Sequence, residues 1–237
     1  MAPVTSAWLA FWDGSHSIYV SRRHKDVHYR SIADAIAELV PGREARVLDY
    51  GCGEALHAER VAAVAGEVLL CEAAPCVRAG IAARFAERNG NSKLRAVAPD
   101  EVERLPGHWL DLIVLHSVAQ YLEPGETDAL FALFHSLLKP GGTLVVSDVL
   151  APHVTAATDA YALVRLAAAN GFLFAAILGL CRTLISDYWR LRTRLGLTRY
   201  GEAAMLEKLR AAGFAVGRAP KNIGHNQARM TFIARPT

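Results

Sequence analysis

Between about residues 45 and 148 the chain alternates short aliphatic runs with stretches in which apolar residues recur every third or fourth position. The runs are Arg46–Tyr50, Glu67–Cys71, Leu94–Ala98, Leu110–Leu115 and Thr143–Ser147. Near-continuous apolar character is what strands buried on both faces require. Helical spacing covers Ala55–Ala65, Pro75–Arg88 and Glu126–Leu138. In the last of these, Leu130, Leu133, Phe134, Leu137 and Leu138 share one face. Lys139-Pro140-Gly141-Gly142 stops it, because proline cannot continue the ladder and glycine accepts the turn. Alternation of this kind predicts an α/β, doubly wound, mostly parallel sheet with helices on both faces.

Two regions fall outside the alternation. Residues 1–44 carry an aromatic cluster, Trp8, Phe11 and Trp12, and a helix over Tyr29–Val40, and are expected to form an N-terminal helical cap. Residues 150–200 form a helical insertion, after which a helix at Glu202–Ala212 and strands at Phe214–Arg218 and Arg229–Ala234 close the chain. At 237 residues, one enlarged domain is expected over 1–237, with 45–149 and 201–237 forming the sheet.

Composition narrows the class. A hydrophobic fraction of 52% with 21% charged residues excludes disorder. The excess of 26 basic over 23 acidic residues is too small to call for nucleic acid, which is not expected as a partner. Cysteines at 52, 71, 76 and 181 form no C-x-x-C pair, as in a reducing compartment. No basic residue precedes Arg22 and Asp13 breaks the first apolar stretch, so no targeting peptide and a cytoplasmic location are expected. Only His24 and His28 are paired among nine histidines, so no metal is expected.

The chemistry-bearing segment is Val47-Leu48-Asp49-Tyr50-Gly51-Cys52-Gly53-Glu54-Ala55, read as a strand running directly into a helix. Its glycines allow a tight turn against a ligand, and free amides at the helix start favour a negative group. About 20 residues on, the strand Val68-Leu69-Leu70-Cys71 ends in Glu72, whose carboxylate can accept both hydrogen bonds of a ribose diol. Loop and acid together indicate an adenosine-type ligand. A dinucleotide fingerprint needs a small residue at position 56, and Leu56 stands there.

With Leu48-Asp49-Tyr50-Gly51-Cys52-Gly53, Glu72, Asp111-Leu112-Ile113-Val114 and Leu138-Lys139-Pro140-Gly141-Gly142 in this order, the chain resembles the class I S-adenosylmethionine-dependent methyltransferases. The resemblance implies a Rossmann-like, seven-stranded sheet whose last two strands form a reversed hairpin, and S-adenosyl-L-methionine as cofactor. It places Asp49, Gly51, Cys52 and Gly53 around the methionine half, Glu72 on the ribose and Ala73 beside the adenine. An acid meeting the adenine amine falls on Asp100 or Glu101, of which Glu101 is taken as the candidate. The family's fourth loop position is often glycine and is Ala55 here.

A methyl group on a sulfonium is already activated, so the protein's task is alignment and exclusion of water. His116, ending the fourth strand, is the candidate base and a further cofactor contact, since ligands of such sheets bind at the strands' carboxyl ends. Tyr19 and Tyr29 in the cap and Tyr188 in the insertion are the candidate acceptor contacts, aromatic faces being attracted to a sulfonium. The uncharged run Leu166–Cys181 is shorter than the roughly 20 residues of a membrane span. It is expected to be a lid over a hydrophobic pocket, with a peripheral membrane contact or a homodimer interface through 160–199 as alternatives. The reading is methyl transfer to a small, rather apolar acceptor. The alternatives are a non-catalytic binding or scaffold protein of the same fold, and a methyltransferase acting on a membrane lipid or macromolecule.

Overall fold

The computed structural model describes residues 3–14, 18–87, 93–183 and 186–237. Seven strands form one sheet: β1 (Arg46–Tyr50), β2 (Glu67–Cys71), β3 (Leu94–Val97), β4 (Leu110–His116), β5 (Leu138–Val149), β6 (Phe214–Arg218) and β7 (Met230–Pro236). Their order is β3-β2-β1-β4-β5-β7-β6, with β1 to β5 parallel and β7 antiparallel to both β5 and β6. The expected architecture, reversed C-terminal pair included, is the one found. Strand order turns back between β1 and β4, which opens a crevice at their carboxyl ends.

Burial explains why the strand runs do not alternate. Leu48, Ile113, Leu115, Leu144 and Val146 enter one core with Phe131 and Phe134 of α6 (Pro124–Leu137). Val47, Leu112, Val114 and Val145 enter the other, against α2 (Arg22–Leu39), α3 (Ala58–Ala62) and α4 (Pro75–Glu87). Both sheet faces are therefore dry, and polar side chains are left to the strand ends. Asp111 is structural: its carboxylate accepts from the Arg46 amide at 2.9 Å and from Lys139 Nζ at 2.8 Å.

Element limits differ from the expected ones where local chemistry intervenes. β5 begins at Leu138 rather than Thr143, because Leu138 pairs with Leu110 ahead of a register shift. The helix read over Ala55–Ala65 is only Ala58–Ala62, since the preceding residues form a turn. α2 begins seven residues earlier than Tyr29, capped by Ser21, whose hydroxyl accepts from the His24 amide at 3.1 Å. The expected end of α4 at Arg88 lies outside the described residues. α5 (Pro99–Glu103) follows β3. The insertion consists of α7 (Ala156–Asn170), α8 (Leu173–Thr183) and α9 (Asp187–Leu195), followed by α10 (Glu202–Ala211). α1 (Pro3–Asp13) opens the chain.

One polar network ties the insertion to the sheet. Arg229, just before β7, donates to Asp148 in β5 at 2.6 Å and to Asp159 in α7 at 3.0 Å. Asp159 also accepts from Asn226 at 2.8 Å, and Asp148 accepts from Ser117 at 2.7 Å. The paired carboxylates keep Arg229 charged despite its burial and raise its pKa above the usual guanidinium value. Removing this cation strips Asp148 of its ion-pair partner in a poorly solvated place and leaves Asp159 with Arg192 alone among the described residues, 3.4 Å away. Arg229→Met is expected to lower the unfolding free energy by about 3 kcal/mol in urea denaturation. A loss below about 1 kcal/mol would show these pairs to be solvated like surface ones.

Candidate active site

A cavity of about 740 Å³ opens at the carboxyl ends of β1, β2 and β4, and its lining is mostly apolar. Asp49, Gly51, Cys52, Gly53, Glu72, Ala73 and His116 all line it, as do Tyr19 and Tyr29. The sequence-predicted residues are thus gathered at one place, with two exceptions. Glu101 is not in the lining: its carboxylate accepts from the Ala98 amide at 2.7 Å and caps its own helix, and Glu103 lines the cavity instead. Tyr188 lies outside the lining as well, packed on Trp8 and Phe11 with ring centroids 5.8 and 5.9 Å away.

The loop after β1 is held from several sides. The Gly51 and Cys52 amides donate to the Cys71 carbonyl at 2.8 and 3.1 Å, and the Gly53 amide donates to Glu72 Oε2 at 2.9 Å. The Glu54 amide donates to the Tyr29 hydroxyl at 3.0 Å. The expectation of free amides awaiting a negative group is therefore corrected: these four are engaged within the chain. Gly53 has φ +58°, and a Cβ there would lie 2.6 Å from the Tyr29 oxygen, so the backbone approaches the cap as closely as only glycine permits. Ala55 takes φ +46°, a left-handed conformation that explains why glycine suits this position. Arg84 steadies it by donating to the carbonyls of Glu54 and Ala55 at 2.6 and 3.0 Å.

Two acids meet at the floor. Burial, and then the neighbouring Glu72 charge, push the Asp49 carboxyl up to about 7. Burial also raises Glu72, against the pull of amide donors from Ala74 and Gly53. A floor of two desolvated carboxylates favours a ligand that brings positive charge. At the tip of β4, His116 Nδ1 lies 2.9 Å from Ser147 Oγ, and burial lowers its pKa, keeping the ring neutral. His28 of α2 lies 6.4 Å from it between ring centroids, and burial takes His28 down to about 3. His24 is lowered to about 4 by burial, and its Nδ1 accepts from the Val20 amide at 3.3 Å. Among the described residues no His, Cys, Asp and Glu group is arranged to hold a metal ion.

α1 forms the roof. Thr5 donates to the Tyr121 carbonyl at 3.3 Å and to Glu126, while Trp8 packs on Tyr121 at 4.9 Å. Trp8 is 1% exposed and lines the cavity, and its indole N–H finds no acceptor among the described residues. No described residue of the 150–200 insertion lines the cavity; the cap comes from α1, Ile18 and Tyr19, and α2 from His28 onward, and the insertion stands behind it. That corrects the expectation of a lid from Leu166–Cys181.

A methyltransferase-domain family pattern matches residues 21–217. The chain belongs to this methyltransferase family. No curated protein matches the sequence. Among solved structures, the methyltransferase is similar in fold to magnesium protoporphyrin IX methyltransferase from Synechocystis PCC 6803 with bound SAM. The TM-score is 0.62 and the identity 16%, over 100% of this chain and 99% of that one. An O-methyltransferase family protein from Burkholderia thailandensis has TM-score 0.58 and 16% identity, over 87% of this chain and 55% of that one. The [4+2]-cyclase SpnF has TM-score 0.58 and 19% identity, over 88% and 80% respectively.

S-adenosylmethionine is the methyl donor of the family, and the site suits it. The close backbone approach at Gly53, the paired acids Asp49 and Glu72, and the apolar walls match a cationic nucleoside better than a phosphate-bearing one.

The acids give the methyltransferase a defined pH response. Between about pH 4 and 7 the folded state keeps a proton on Asp49 that the unfolded chain has released, so this group's contribution to stability is lost as pH rises through that window. Asp49→Asn is therefore expected to melt above the parent at pH 8 and close to it at pH 4, measured by thermal scans. His24 and His28 act oppositely: their folded values of about 4 and 3 lie below the unfolded value, so stability is full above pH 6.5 and falls as pH drops. His28→Gln should flatten the acid limb of the same profile.

Proposed function

We propose that the protein transfers the methyl group of S-adenosylmethionine to a small, largely apolar acceptor whose nucleophilic atom sits beside His116. The observation that carries this reading is a cavity whose lining joins the carboxylate floor, His116 and apolar walls roofed by α1. A volume of about 740 Å³ falls in the range of small-molecule sites.

Each residue has a task in this reading. Asp49, Gly51, Cys52 and Gly53 hold the methionine half of the donor, Glu72 the ribose hydroxyls, and Ala73 the adenine, with Glu103 as the nearby acid. When bound, the donor supplies a methyl group already activated by positive sulfur. His116, neutral through burial, takes the proton from a hydroxyl, thiol or amine of the acceptor, and Ser147 fixes its ring. Tyr19, Tyr29 and Trp12 wall the acceptor, and Trp8, in the same wall, offers its indole N–H to a polar atom on the ligand. α1, seated over these groups, shields the transfer from water.

Calorimetric titration with S-adenosylmethionine tests the donor site. Binding is expected, weakened at least about tenfold in Glu72→Ala, where two hydrogen bonds to an ionised group are lost. Absence of binding by the parent protein overturns the reading. For the base, a panel of apolar phenols, carboxylic acids and amines is screened by mass for gain of one methyl group. On an acceptor so found, His116→Ala should lose roughly 10²- to 10⁴-fold in turnover with donor affinity kept. Turnover retained within a few-fold removes the base. Conversion of a substrate without methyl gain would favour instead a cyclisation such as that named for SpnF.

A further inference from the structure

Of the six large hydrophobic side chains exposed among the described residues, five lie on the α7–α8 hairpin: Tyr161, Leu173, Phe174, Ile177 and Leu178. Phe174 is 83% exposed and Ile177 53%. The opposite face of α8 holds the small residues. Ala176 is fully buried, and Gly179 lies so close to Val20 that a Cβ there would meet its side chain at 2.2 Å. Phe172, at the foot of α8, stacks on His24 at 5.3 Å. The helix is thus packed with its bulk outward. In water alone the hydrophobic effect would select the reverse, so this face has an apolar partner.

Charge identifies the partner. Residues 150–200 hold six arginines and two aspartates. Asp159, the one acid in α7 or α8, is turned inward to Arg229 and Arg192. Arg165 and Arg182 are exposed at the rim, and Arg23 donates to the Asn170 carbonyl at the hairpin turn. Asp187, the other aspartate, lies in α9 and pairs with Arg190, so a second copy on a two-fold axis would set the hairpin's arginines against each other with no acid of α7 or α8 to pair them. An anionic lipid surface answers both features, its acyl region taking the bulk and its headgroups the guanidinium groups. No helix among the described residues is long and apolar enough to cross a membrane, which leaves α8 lying along the interface.

We propose that the α7–α8 hairpin docks the protein on an anionic membrane surface. The surface is independent of the cavity chemistry, because none of its residues lines the cavity. It is also near it: Val20 and His24, beneath α8, adjoin Tyr19 and His28 of the cap. An acceptor dissolved in the bilayer would meet the cap at the docking face.

Flotation of the full chain with vesicles tests the proposal. Binding is expected to vesicles of phosphatidylcholine mixed with phosphatidylglycerol at low salt, and little to phosphatidylcholine alone. The double variant Phe174→Asp with Ile177→Asp should lower the bound fraction at least about tenfold. Arg165→Glu with Arg182→Glu should abolish the preference for the anionic lipid. Both double variants should keep the parent's calorimetric affinity for S-adenosylmethionine and its circular dichroism, which separates loss of docking from loss of fold or of the cofactor site. The proposal is overturned if the parent protein does not float with anionic vesicles, or if the aspartate variant floats as the parent does. It is equally overturned if sedimentation finds a dimer that Phe174→Asp splits while no lipid binding occurs.

Discussion

The charged and titratable floor of the site is placed by one constraint: the central strands are dry on both faces. Leu112, Ile113, Val114 and Leu115 are fully buried in succession, so β4 can present a polar side chain only where it ends, and there stands His116. The same holds for β1 with Asp49, β2 with Glu72 and β5 with Ser147 and Asp148. Reversal of strand order between β1 and β4 spreads these ends apart and leaves room between them. Desolvation then acts on what has been gathered, lifting the two acids and holding the histidines neutral.

What can be read from the sequence follows the reach of the interaction. Strands and the Glu72 position are legible because they rest on local hydrophobic runs and a fixed β-loop-α spacing. The loop's hydrogen bonding is not, since its amides are satisfied by Cys71, Glu72 and Tyr29, which are distant in sequence. Glu101 and Glu103 show a finer limit. Side chains two apart on a helix point to different sides, and the acid at the third helical position is the one that turns back to cap. Only half of a capping box is written here, since Ala98 has no side-chain acceptor and Glu101 alone reaches back to the Ala98 amide, so the sequence does not single out Glu103 as the acid facing the cavity. Nothing local announces the Arg229 network, whose partners lie 81 and 70 residues away.

The additions to the sheet divide their work in a way the apolar composition hides. Both are rich in large hydrophobic residues, yet α1 turns Trp8 inward over the cavity while α8 turns Phe174 outward. Tyr188 belongs to neither face; it lies between, packed on Trp8 and Phe11, and so joins the insertion to the roof. Arg229 gives the insertion a second fixed point at the sheet, through Asp159. The insertion is therefore braced against the roof on one side and the strand ends on the other.

The packing of Trp8 reaches further than the roof. Its ring lies 4.9 Å from Tyr121 and 5.8 Å from Tyr188, and it lines the cavity. Close-packed aromatic rings transmit displacement, so a shift of Tyr188 in α9 is felt at the cavity wall through this one indole. Sequence drift in the insertion can thereby reshape a cavity that none of its described residues lines.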